Sequence, residues 1–160
     1  MNRKGQSAME YLMTYGWAIL VIIIVIAVLF YIGVLNPRNV TPTSCTFPPG
    51  ISCASFKLAT GGTLSLSIGQ ATGKRIRLTN VSCTQASSAR DWNPLNITMT
   101  NGEQASLGSF QCTTADGSPA AGADGETAKF KIWLDYSEIS PGTLETRQVM
   151  GDVTGRYEPA

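Results

Sequence analysis

Residues 17–35 read WAILVIIIVIAVLFYIGVL, nineteen positions without a charge, and the fold turns on what such a run is for. It is hydrophobic on every side, so it asks for burial on every side. Roughly twenty residues rising about 1.5 Å each cross a hydrocarbon core of about 30 Å. In lipid only a helix or a closed barrel satisfies its own backbone, so the run predicts a helix. That helix is expected to begin near Ser7 and to end at Leu35, because Pro37 disfavours helical backbone at Asn36. Gly16 and Gly33 would loosen it locally or let a neighbouring helix approach closely.

Upstream stands RKGQSAMEYL, residues 3–12. Arg3 and Lys4 precede the span and argue that its N-terminal end faces the cytoplasm, with the rest of the chain outside. A secretory signal would carry a small-residue cut after its apolar core. Here the core is followed by Leu35-Asn36-Pro37-Arg38, and the small residue after the charges, Gly5, comes before it. A cut between Gly5 and Gln6 would remove Arg3 and Lys4, leave the helix attached and create a new amine on Gln6. The net charge of +1 would become about −1. Glu10 stands at the mouth of the apolar run, where a carboxylate costs several kcal/mol on insertion scales unless it is paired.

Downstream, residues 36–50 hold four prolines (Pro37, Pro42, Pro48, Pro49) among Thr and Ser, which predicts a stiff, extended connector. Short alternating runs then read as strands. They are expected at 54–58, 63–68, 75–81, 97–99, 106–111, 128–136, 143–149 and 153–157, with 113–125 a surface loop. Leu64, Leu66 and Ile68 would share one face, as would Phe130, Ile132 and Leu134. The expected class is α+β: a long N-terminal hydrophobic helix followed by an antiparallel β-sandwich of immunoglobulin-like type. The chain thus divides into a cleaved leader (1–5), a transmembrane or filament-core helix (6–35), the connector (36–50) and a head domain (51–160).

Four cysteines, Cys45, Cys53, Cys83 and Cys112, all follow the span. An even count in a small β-rich region beyond a membrane segment suggests two disulfides and an oxidising compartment. Zinc is disfavoured, because the chain has no CxxC and no His. Three pairings are open; Cys45–Cys53 with Cys83–Cys112 is preferred because each bond closes a local loop. Three sequons, Asn39-Val40-Thr41, Asn80-Val81-Ser82 and Asn96-Ile97-Thr98, lie on the same outer side and suggest N-glycosylation. Lys and Arg are scattered without a basic block, so no nucleic-acid partner is expected. Ser and Thr lack an evident base, and Asp116 and Asp124 share a loop too poor in ligands for calcium. No enzyme, no cofactor and no metal site are expected.

The string from Lys4 to Leu12, KGQSAMEYL, resembles the class III signal sequence of archaeal type IV pilins: a basic and a small residue, then a Gln-x-Ser-x-Glu-like pattern opening a long hydrophobic helix. Ser7 directly follows Gln6 instead of lying two positions on. The resemblance covers roughly the first 35 residues. It implies a prepilin peptidase cutting between Gly5 and Gln6, an assembly platform with its ATPase, and a helical homopolymer with helices in its core and β-rich heads outside. The membrane would hold the chain before assembly, the N-glycosylation machinery would act on the outer part, and the filament would serve adhesion at the cell surface. Under this resemblance Ser7, Glu10, Tyr11 and Thr14 share one helical face. Glu10 of one subunit would meet the new Gln6 ammonium of the next. The plainer reading of Glu10 is an interfacial carboxylate favoured near a helix N-terminus. Two other functions fit the same features: a minor pilin or pseudopilin, and a single-pass anchored extracellular binding protein that never polymerises.

Overall fold

The computed structural model describes residues 3–34, 41–88 and 91–160, with backbone alone for 3–7, 143 and 144. The chain divides into two compact units, Met1–Thr41 and Pro42–Ala160.

The described residues of the first unit hold one helix, α1 (Arg3–Tyr31). Its segment Ala8–Tyr31 has a mean hydropathy of 2.7 and none of it is buried within the chain, so it is long and apolar enough to cross a membrane. It starts earlier than Ser7 and stops short of Leu35. The stop is Gly33, not Pro37. Gly33 takes a positive φ of 74°, its N–H donates to the Phe30 carbonyl at 3.1 Å, and the Val34 N–H reaches back to Leu29 at 3.2 Å. That pair of bonds is the Schellman end of a helix, and a left-handed glycine makes it cheap.

Among the described residues the second unit is a β domain of eight strands: β1 (Ser44–Thr46), β2 (Ile51–Ala59), β3 (Thr63–Gln70), β4 (Ile76–Thr84), β5 (Asn93–Met99), β6 (Gln104–Gln111), β7 (Thr127–Ser140) and β8 (Thr143–Glu158). The molecule is therefore α+β, an apolar helix followed by a mostly antiparallel sheet. Seven strands form one path, β5-β4-β7-β8-β2-β3-β6, with β1 on β8. The path curls towards a barrel and closes at two short parallel seams. One seam is the short parallel pairing of β2 with the end of β8, at Leu58↔Tyr157 and Ala59↔Glu158. The other is a parallel bridge between Thr84, ending β4, and Thr113, just after β6. There the Thr113 N–H donates to Cys83 at 2.9 Å and the Gln85 N–H to Thr113 at 3.0 Å.

Alternation builds the interior. Leu64, Leu66 and Ile68 of β3, Ile76 and Leu78 of β4, and Phe130, Ile132 and Leu134 of β7 are all fully buried. Each contributes about 1.5–3 kcal/mol of apolar burial. Both disulfides tie one side of the path to the other. Cys45 of β1 joins Cys53 of β2, and Cys83 of β4 joins Cys112 beyond β6.

Three differences from the sequence expectations have physical causes. Ser44–Thr46 pairs with β8 at Cys45↔Val153, so a short part of the proline-rich stretch belongs to the sheet. β5 extends back through Pro94, tolerated because β5 ends the path and Pro94 needs a partner only towards Asn80. The loop 113–125 is bound down: Ala120 is buried, and its N–H donates to Cys112 at 2.8 Å. It lies so close that a Cβ on Gly62, at φ +77°, would stand 1.7 Å from the Ala120 carbonyl oxygen.

Candidate functional site

The helix offers the first candidate site. Glu10 is exposed on α1 in the single chain, and one turn on, the Thr14 hydroxyl donates to the Glu10 carbonyl at 2.9 Å. Tyr11 and Tyr15 stack four residues apart, with ring centroids 4.4 Å from each other. Glu10, Tyr11, Thr14 and Tyr15 thus line a polar and aromatic patch on the first turns of an otherwise greasy rod. Gly5 and Gln6 lie in helical backbone within its first turn. A first turn lacks full intrahelical bonding, and glycine weakens it further, so the bond between them sits where a helix opens most readily.

The sequons fall in different surroundings. Asn39 lies outside the described residues. Asn80 is half-buried inside β4, flanked by β5 and β7, with its Nδ2 3.5 Å from Asp135 Oδ2. Ser82, the third residue of that sequon, is fully buried. Asn96 and Thr98 are both exposed on β5, where Asn96 Oδ1 accepts a bond from Arg77 Nε at 2.9 Å. Asn96 is exposed in the folded domain, whereas Asn80 is only half-exposed and the serine of its sequon is buried.

One cluster has no counterpart among the residues singled out from sequence. Glu138 is buried, yet continues the inward column of β7 beyond Tyr136. Its Oε2 lies 2.6 Å from Lys74 Nζ, and its Oε1 lies 3.3 Å from Arg147 Nε. Beside it the buried Gln70 amide donates to the Lys74 carbonyl at 2.6 Å and accepts from the Thr72 N–H at 2.8 Å. The signal in the sequence was the alternation itself, which places a carboxylate at an inward position. The Lys74 ammonium bonded to Glu138 holds that carboxyl below its ordinary range, and Arg147 adds to the effect against the opposing cost of burial. A lowered carboxylate pKa stabilises the fold above the unfolded value, and that gain disappears as acid takes the pH down through the folded value. Acid unfolding of the β domain is therefore expected to shift to higher pH in Lys74→Met. Circular dichroism across an acid titration checks this, and an unchanged midpoint would count against the coupling.

Asp116 accepts bonds from the Thr114 and Ser118 hydroxyls, so its carboxylate organises its own turn. Thr114 first, with the Asp116 and Ser118 contacts, holds its pKa below the usual range. Among the described residues no group of three His, Cys, Asp or Glu side chains is placed to hold a metal. No family model matches the chain, and no curated protein matches it either.

Proposed function

We propose that this chain is a structural subunit of an archaeal type IV pilus, cut between Gly5 and Gln6 and polymerised through α1 into an adhesive surface filament. The observation that carries the reading is the uncovered apolar helix with a single carboxylate near its start. Among the described residues nothing buries Ala8–Tyr31. Lipid covers such a rod before assembly, and neighbouring helices cover it afterwards. The β domain, read as an immunoglobulin-like sandwich whose layers join at their edges, forms the exterior head, with two disulfides suited to an oxidising extracellular setting. Asn96 is its accessible glycan acceptor.

The deciding experiment is mass-spectrometric mapping of the subunit in sheared surface filaments. A mature N-terminus at Gln6 with modification at Asn96 is expected. A start at Met1 or Asn2 in that material would overturn the proposal in favour of an anchored, non-polymerising binding protein.

A further inference from the structure

Among the described residues, the long hairpin β7–β8 leaves half of β8 without a second neighbour. β1 covers β8 only at residues 152–154, and β2 joins it only at 157–158. Among the described residues, 143–151 pair on one side alone, with β7. Nine residues at about 3.3 Å each present an open edge about 30 Å long. Its side chains are exposed from Glu145 to Gln148. An edge of this length is a template for another strand unless something prevents it.

The residues on that edge select one kind of partner. The two-residue turn Pro141-Gly142 makes Ser140↔Thr143 the closing pair of the hairpin, which in such turns is the hydrogen-bonded one. Counting along the ladder, Glu145 and Arg147 then direct their backbone groups to β7, and Thr146 directs its N–H and C=O outward. Glu145 and Arg147 flank Thr146 on the opposite face, with Arg147 Nη2 3.3 Å from Glu145 Oε2. Inverting the strand about Thr146 exchanges the two charges, so each Glu145 comes opposite an Arg147.

We infer that this edge pairs antiparallel with the same edge of a second copy of the chain, about a two-fold axis at Thr146. The two Thr146 residues exchange backbone hydrogen bonds. Glu145 of each copy stands opposite Arg147 of the other, in the non-hydrogen-bonded positions where side chains come closest. Arg147 keeps one nitrogen on Glu138, 3.3 Å away, while its fork reaches across. Ordinary edge protection would place like charges, most often lysines, along the strand and so repel a copy of itself. Here the charges invite one.

The test is disulfide trapping in membranes holding the full chain. Thr146→Cys under mild oxidation is expected to give a cross-linked dimer on a non-reducing gel, well above that from Lys57→Cys on exposed β2. In the Thr146→Cys background, Glu145→Arg or Arg147→Glu should lower the yield about tenfold, since two attractive cross-strand pairs become repulsive. The combined reversal should restore it. A yield no higher than that of Lys57→Cys, or one indifferent to the single reversals, overturns the pairing. The result is expected equally in a Glu10→Ala chain, so loss of filaments leaves this test standing.

Discussion

Replacing Cys83 and Cys112 together with alanine is expected to destabilise the β domain by about 3–4 kcal/mol, lowering its melting temperature by roughly 10–15 °C. The bond spans 29 residues, and in the chain-entropy account a loop of that size constrains the unfolded chain by about 3.6 kcal/mol. Both sulfurs sit in the core, with Cys83 at 1 % exposure and Cys112 at 0 %. Their loss also opens space that the surrounding side chains fill only in part. The location adds a further reason. The Thr84↔Thr113 bridge lies one residue beyond each cysteine, so bond and bridge close the same seam. The Cys45–Cys53 pair closes a loop of only eight residues and is half-buried, so its removal should cost less, about 2.5 kcal/mol. Denaturant unfolding of the full chain in detergent, followed by near-ultraviolet circular dichroism, measures both. Equal losses, or a larger loss at Cys45–Cys53, would contradict the assignment of the seam to Cys83–Cys112.

The same seams explain where sequence stopped being informative. Strands such as β3 and β7 were legible because a residue's neighbours two places away decide which face it takes. The helix was legible from its length of apolar run alone. Closure was not, because Leu58↔Tyr157 and Thr84↔Thr113 join residues far apart in the chain. β8 read as two strands because Met150-Gly151-Asp152 breaks the alternation. In the fold Gly151 lies under the Phe47 ring, where an added Cβ would come within 2.5 Å of that ring, so the break serves packing and not a turn. The end of α1 was misplaced for a related reason. A proline signals by its own geometry, but Gly33 ends the helix earlier by adopting a conformation that its sequence only permits. Glu10 was visible as an anomaly because charge in an apolar run is conspicuous. The Lys74–Glu138–Arg147 cluster needed three segments brought together, and the sequence held only its inward carboxylate.

Under the proposed assembly, changing Glu10 to alanine is expected to reduce surface filaments at least tenfold while leaving the chain in the membrane and its mature N-terminus at Gln6. The argument rests on where the charges go. Before assembly Glu10 is exposed on α1 and can stay at the membrane surface, so it costs the monomer little. Packing helices together would take it out of water, and an unpaired carboxylate there is expensive by several kcal/mol. In the proposed filament the ammonium that cleavage would create on Gln6 is the partner that removes this cost, and it would exist only in processed chains. Alanine at position 10 strands that ammonium in the apolar bundle, and breaking a buried pair from one side typically costs about 3–5 kcal/mol. Glu10→Gln keeps a hydrogen-bond acceptor but not the charge, so it should give an intermediate yield. Glu10→Asp keeps the charge on a shorter arm and should retain more filament than either. Filament counts by electron microscopy, set against membrane-bound chain measured in the same cells, separate assembly from expression. An interfacial role for Glu10 predicts equal filament numbers in all three variants, and an anchored protein that never polymerises predicts none in any chain, wild type included.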